Sequence, residues 1–413
     1  MPSMGVSTMK GIWKFVVTLA LHSVALANIG VSGAAHASSL RPALDAAIAL
    51  NSDIQTLEAR KDEQLARGNA TRALLPSGPS AMLFHRNDAP LSGLGFREYE
   101  GELAFPLWLP GERSALLGSA ETAIVRLEAE IALKRLEVAR RVRDAFWMIV
   151  EQRERQQLAE RRRTLSKALA DDLRRQLAAG QALPLDLNLA EADFQDAEGA
   201  LAIRKADVQQ AIIQFKVLTG QVPPSTYKER ESKLGFPTRH PRLVLRQSAV
   251  TKAGAELTVA TTVDRDRPEL GVGVRSTRAD SSQPYDTNLG LRVKIPFSYE
   301  AVNAPKRAAA AADIRGAEAE VAVAEREIKG EVAQARAKLV GVRGQLAAVE
   351  RRHDQLTAAF ILVQESQRAG LTPLADLIRT RNQVFEAANA RALARVAVDR
   401  ARSDINQALG LEP

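Results

Sequence analysis

The side chains best able to do chemistry are few, and their spacing argues against catalysis. The five histidines are His22, His36, His85, His240 and His353. The last three lie far apart, and none has a histidine or carboxylate at metal-ligand spacing. Cysteine is absent, which excludes disulfides, thiolate metal sites and a lipid-modified N-terminal cysteine. No phosphate loop, zinc-protease helix or nucleophile elbow occurs. The chain therefore reads as a non-enzyme, with no cofactor and no metal site. What remains is charge beside turns. Asp186 and Asp376 each follow a glycine and a proline. Glycine ends a helix, proline begins the next, and an acid in the first turn complements the helix dipole.

The ends and the composition narrow the class further. Lys10 and Lys14 make a basic start, Ile12 to Val31 is mostly apolar, and Ala35-His36-Ala37 supplies a small-x-small cleavage pattern. Residues 1–37 read as a secretory signal peptide rather than a retained anchor. Beyond them no stretch approaches the roughly 20 consecutive apolar residues of a spanning helix. Any membrane crossing must then be a closed β-barrel, because lipid cannot satisfy open backbone polar groups. The formal net charge is +8, two units of which leave with the leader. Arginine is interleaved with Glu and Asp along helical patterns, as on a solvated, salt-bridged helix surface. With the leader and without aromatic clusters, nucleic-acid binding is not expected. Aromatics make up only 4% of the chain, too few for a large globular core and suited to extended helical hairpins.

The elements that carry these residues come in two copies. At a constant offset of 190, Pro106 matches Pro296, Glu128 matches Glu318, Val142 matches Val332, Gly180 matches Gly370, Asp186 matches Asp376 and Gly220 matches Gly410. The period is too long for a solenoid and reads as a duplicated domain. The first repeat is assigned to residues 38–222, with strands over about 79–108 and a helical hairpin over about 112–220. A linker covers 223–239. The second repeat covers 240–413, with strands over about 268–298 and a hairpin over about 304–410. Each copy is expected to run helix, two strands, very long helix, tight turn, shorter helix, the shorter helices covering about 40–75, 185–218 and 374–409.

The long helix of the second copy shows a seam through Ile314, Ala317, Val321, Ala324, Ile328, Val332, Ala335, Leu339, Val342, Leu346, Val349, His353, Leu356, Phe360 and Val363. Its steps of three and four are the coiled-coil signature. His353 is then a packed or polar-register residue. At 1.5 Å per residue each long helix spans roughly 100 Å, which no compact domain accommodates. Gly316, Gly330, Gly341 and Gly344 cost this helix stability; close helix approach in a curved wall would compensate, and local flexibility is the alternative. Leu289, Leu291, Val293, Ile295 and Phe297 alternate with polar residues, as in a strand with one apolar face. Phe105, Trp108, Phe297 and Tyr299 at the strand ends suit the interfacial girdle of a lipid-facing barrel; a soluble antiparallel sheet is the alternative. Four strands cannot close a barrel, so several chains must contribute.

Leader, duplication, long hairpins and four alternating strands together resemble the TolC outer-membrane efflux family over essentially the whole chain after the leader. Phe105-Pro106-Leu107-Trp108-Leu109-Pro110-Gly111-Glu112-Arg113 is similar to the strand-to-helix junction of its heavy-metal, CzcC-like branch. Residues 179–187 and 369–377 resemble its hairpin turns. The resemblance implies a mainly α fold with a membrane β-barrel: a homotrimer with an α-barrel and 12 strands, four per chain. It implies outer-membrane lipid, a periplasmic membrane-fusion adaptor and an inner-membrane pump as partners, the pump of the resistance-nodulation-division rather than the ABC type. Gly180, Leu183, Pro184, Gly370, Leu371 and Pro373 would be adaptor-contacting tip positions. Asp186 and Asp376 would stand at a periplasmic constriction. Arg379 occupies the place of the family's second Asp, so a double acidic ring is not implied. The expected function is a passive export duct of a tripartite efflux system, with heavy-metal cations as candidate cargo. A type I protein secretion channel uses the same architecture, and a periplasmic coiled-coil adaptor is the reading from another class.

Overall fold

The computed structural model describes residues 39–413; the leader expected over residues 1–37 lies outside them. Seven helices and four strands follow in the order α1 (Arg41–Ala49), α2 (Ser52–Ala70), β1 (Ser80–Asn87), β2 (Arg97–Pro106), α3 (Glu112–Ala178), α4 (Pro184–Thr219), α5 (Pro241–Thr262), β3 (Glu269–Arg278), β4 (Asp286–Lys294), α6 (Glu300–Arg368) and α7 (Leu374–Ala408). Two antiparallel hairpins, α3–α4 and α6–α7, make up most of the mass, and α5 packs against both long helices. With 67 and 69 residues, α3 and α6 each reach about 100 Å.

Local sequence explains where the helices stop. Gly180 and Gly370 take left-handed φ values of 73° and 74°. Beyond each glycine the next amide reaches back, Gln181 to the Gln176 carbonyl (2.8 Å) and Leu371 to the Ser366 carbonyl (3.0 Å). These bonds satisfy carbonyls that a helix end would leave bare. Gly220 and Gly410 are left-handed as well. Pro184 then opens α4 at its first turn, where its missing N–H costs nothing.

Two expectations need correction. The helix expected over about 40–75 is two helices, because the Asn51 side chain accepts from the Ile54 amide (3.0 Å) and starts α2 afresh. The second long helix begins at Glu300, not near 304, and carries Pro305 inside it. That proline falls in the second turn, so only one backbone bond is forgone. A Cβ added at Gly316, Gly330, Gly341 or Gly344 would meet nothing within 4 Å; no close approach inside the protomer accounts for these glycines.

Three apolar clusters hold the helices. One joins α1, α2, α3 and α4 around Leu44, Val142, Phe146 and Phe215, with Tyr227 from the inter-repeat segment. A second joins α5, α6 and α7 around Leu243, Ile328, Leu339 and Ile405. The third lies toward the hairpin tips, around Ala170, Leu173, Ala190, Leu374 and Leu377. Seam residues Ile328, Val332 and Leu339 are buried as the three–four spacing requires.

The strands form one antiparallel sheet in the order β1-β2-β3-β4. The pairing of Leu103 with Val272 and of Val272 with Leu291 puts these apolar side chains on one face with Leu83, Leu270, Val274 and Leu289. The other face carries Glu98, Glu102, Arg275 and Arg292. Both sheet edges, β1 and β4, are exposed along their whole length.

Candidate functional site

The sheet is built inside out relative to a soluble one. Leu83 is 89% and Leu289 79% exposed, while Glu98 and Glu102 on the opposite face are buried. Burial of these carboxylates is tolerated because each meets arginine. Glu98 pairs with Arg86 (2.8 Å) and Arg275, and Glu102 with Arg292. Gly271 makes room for this: a Cβ there would stand 2.6 Å from Glu102 Oε1. Such an arrangement, apolar outside and polar within, suits a wall between hydrocarbon and an aqueous lumen.

Where sheet becomes helix, the chain is pinned. Gly111 turns with φ 81°, and fully buried Glu112 folds back so that the Leu109 amide donates to its Oε2 (3.0 Å). Arg267, just before β3, donates to its Oε1 (2.8 Å) and lies 5.4 Å from the centre of the Trp108 ring. The Trp108 indole N–H donates to the Ala73 carbonyl (3.2 Å). Trp108 is thus held within the protomer and half-buried, and Phe105 is half-buried too. Phe297 and Tyr299 stand free, 86% and 67% exposed. The four aromatics do gather at the helix-proximal end of the sheet.

At the far ends of the hairpins the tip positions Gly180, Leu183, Pro184, Gly370, Leu371 and Pro373 are all exposed. Asp186 and Asp376 sit in the first turns of α4 and α7. Asp376 is ion-paired with Arg379, so its charge is answered within the chain. Ten residues up from Leu371 lies a group that no local pattern disclosed. Asp193 of α4 accepts from Ser166 of α3 (2.5 Å) and from Arg381 of α7, with Arg162 at 3.4 Å. Burial pushes the Asp193 pKa up, but Ser166, Arg381, Asn382 and Arg162 together hold it below the usual carboxylate range. Burial likewise pushes Arg381 down. The cluster ties the first hairpin to the second just above the tips.

Residues 240–411 match the family described as outer membrane efflux protein. That match lies within the second repeat of the chain. The cobalt-zinc-cadmium resistance protein CzcC of Cupriavidus metallidurans is 27% identical over 182 residues, 44% of this chain and 43% of that protein. The match thus spans less than half the length of that relative. Among solved structures, CusC has a TM-score of 0.72 at 15% identity, covering 90% of this chain and 92% of CusC. The Neisseria gonorrhoeae MtrE outer membrane channel has 0.68 at 17%, covering 91% and 89%. VceC of Vibrio cholerae has 0.67 at 14%, covering 90% and 96%. The described residues therefore share the TolC-type channel fold well beyond the matched domain.

Within the efflux-protein fold the inter-repeat segment, expected as a plain linker over 223–239, is a strap packed into the helices. Glu229 accepts from Arg143 of α3 (2.6 Å) and from Ser403 (2.6 Å) and Asn406 (2.9 Å) of α7. Burial pushes the Glu229 pKa up, yet Arg143 and the two α7 donors hold it below the usual range. Tyr227 packs edge-to-face on Phe146 at 5.4 Å, and burial drives its pKa upward. Among the described residues no helix is long and apolar enough to cross a membrane, and no group of three or more His, Asp or Glu could hold a metal ion. His353, on the seam, is engaged by Arg391 (3.1 Å).

Proposed function

We propose that the protein is one subunit of a passive outer-membrane efflux duct, formed by three copies and acting without catalysis. The observation that carries this reading is the sheet: an apolar face turned out, a charged face turned in, and two open edges, mounted on helices about 100 Å long. Open edges are a liability in a monomer. Pairing β4 of one copy with β1 of the next would remove them, and three copies would give 12 strands, above the smallest bacterial barrels of about 8. The helices would then form the periplasmic barrel, with strands and loops 88–96 and 279–285 at the outer end.

The left-handed glycines and exposed leucines at Gly180, Leu183, Gly370 and Leu371 favour the tips as contacts for a periplasmic adaptor, and through it an inner-membrane pump of the resistance-nodulation-division type. The buried Asp193–Arg381 pair would hold the hairpins in one arrangement at that mouth. Heavy-metal cations as cargo are supported by the likeness to a cobalt-zinc-cadmium resistance protein. Selection among ions would then rest with the pump, since the Asp376 charge is cancelled by Arg379 in each copy.

The test is extraction of the processed protein from outer membranes with detergent, followed by size analysis and heat-modified electrophoresis. A detergent-dependent trimer that shifts on heating is expected. A soluble periplasmic monomer would make the sheet an ordinary one and refute the duct.

A further inference from the structure

We propose that the rim of the sheet farthest from the helices binds a phosphorylated lipid of the outer leaflet, its phosphate on Arg97 and Arg278 and an acyl chain lying over Gly101. The proposal rests on the duct reading, which turns this face to lipid and this rim outward. Arg97 and Arg278 are direct partners across β2 and β3, on the same face as Leu103 and Val272. Like charges directly opposite each other destabilise a sheet; Asp280 feels the charge of Arg278, but among the described residues neither arginine has a carboxylate at ion-pair distance. Arg278 donates Nε to the Gly95 carbonyl (3.3 Å) and lies 5.2 Å from the centre of the Tyr285 ring. Its plane is thereby fixed while its terminal nitrogens remain free. Arg97 is exposed and has no acidic partner among the described residues.

The loop acids nearby keep their charge, but their oxygens are turned into the loops by hydrogen bonds and away from the arginine forks. Asp88 accepts from the Leu94 and Gly95 amides (2.7 and 3.2 Å) and from Ser92 (2.8 Å). Asp280 accepts from the Ser282 amide (2.7 Å) and hydroxyl (2.5 Å). The two loops are also joined, the Ser281 amide donating to the Leu94 carbonyl (3.2 Å), so the arginine pair sits on a braced rim. Two guanidinium forks side by side suit the geometry of a phosphate.

Directly beneath the pair is a shallow, mainly apolar groove of about 470 Å³ whose lining includes Leu83, His85, Tyr99, Gly101 and Val274, with Glu100 also on its wall. Gly101 creates it: the missing side chain leaves a slot between Tyr99 and Leu103, floored beside Leu83. His85 stacks on Tyr99 at 4.5 Å, and Tyr285 follows at 6.2 Å, an aromatic belt at the level where amphipathic rings favour the interface. Arg97 and Gly101 are four positions apart, about 13 Å along the strand, which places a charged headgroup above and hydrocarbon below. A free phosphate would use only the upper half of this site; a phosphorylated lipid fits both.

Native mass spectrometry of the intact trimer in detergent tests the proposal, using bisphosphorylated lipid A, the same lipid stripped of phosphate, and inorganic phosphate as separate probes. Phosphorylated lipid should be retained at about one per subunit. The phosphate-free lipid should need at least tenfold higher concentration, and inorganic phosphate should not be retained. Arg97→Gln with Arg278→Gln should cut retention about tenfold, and Gly101→Val should weaken it from the apolar end with the arginines intact. Equal retention by the double variant, equal retention of the phosphate-free lipid, or retention of inorganic phosphate alone would overturn the site. Absence of a trimer in the unmodified protein would refute the duct reading and the site with it; a trimer that fails the lipid comparison refutes the site alone.

Discussion

At the scale of single residues, stability is concentrated in a few buried charges. Arg143 and Glu229 are both nearly sealed from solvent, with side chains 4% and 10% exposed. Removing one partner of such a pair strands the other's charge, which costs about 3–5 kcal/mol. Glu229→Ala should therefore lower the helix-melting midpoint measured by circular dichroism at 222 nm, whereas truncating exposed Arg379 should leave it nearly unchanged. Asp193→Asn removes the charge that compensates Arg381 and Arg162. Amides of residues 160–200 and 374–390 should then exchange with deuterium faster than those of the strap, and unchanged rates would show that the cluster does not hold the hairpins together. Because the folded pKa values of Asp193 and Glu229 lie below the ordinary carboxylate range, their stabilisation is complete above that range. It is lost as pH falls through it toward the folded values.

At the scale of elements, α5 is the part whose placement depends on a titrating cap. His240 precedes it, buried, with Nδ1 accepting from the Arg242 amide (3.1 Å). Burial, and then Arg242, push its pKa down to about 4. The unfolded state binds the proton first, so this contribution is full above about pH 6.5 and is lost as pH falls toward 4. Its ceiling is about 3 kcal/mol. His240→Asn keeps a capping acceptor and removes the titration. The fall in melting midpoint between pH 7 and 5 should be smaller in the variant than in the parent, and equal falls would assign the acid sensitivity to carboxylates alone. At the tips, Gly370→Ala forces a side chain into left-handed φ at a cost of about 1–2 kcal/mol, read as faster exchange at the end of α6 with the rest of the hairpin unchanged.

At the scale of the whole molecule, the two faces of the sheet make opposite demands. Leu291 and Asn288 are both exposed in the protomer and lie on different faces. In a soluble sheet, a lysine at either position would be nearly neutral. In a membrane wall, lysine on the lipid face costs about 2–4 kcal/mol near the midplane, while a lumen-facing lysine is tolerated. Leu291→Lys should therefore reduce trimer recovered from outer membranes, and Asn288→Lys should not. Equal recovery for the two would argue for an ordinary sheet.

Much of this architecture is legible in the sequence because its signals are local. The three–four seam of α6, the alternation of β4 and the Gly–Pro punctuation at 180–184 and 370–373 each lie within a few turns of chain, where backbone geometry alone sets the pattern. The Asn51 cap is equally local, but the apolar periodicity continues across it and hides the break. What only the tertiary structure decided is which distant groups meet. The chain has 57 basic and 49 acidic side chains, so sequence offers far too many pairings to single out Arg143 with Glu229, Asp193 with Arg381, Glu112 with Arg267 or Arg97 with Arg278. Those partnerships follow from β2 lying beside β3, α5 bridging α3 and α6, and the strap crossing α3 and α7. Each is a long-range contact whose partner is set by packing, not by the residues next to it in the chain.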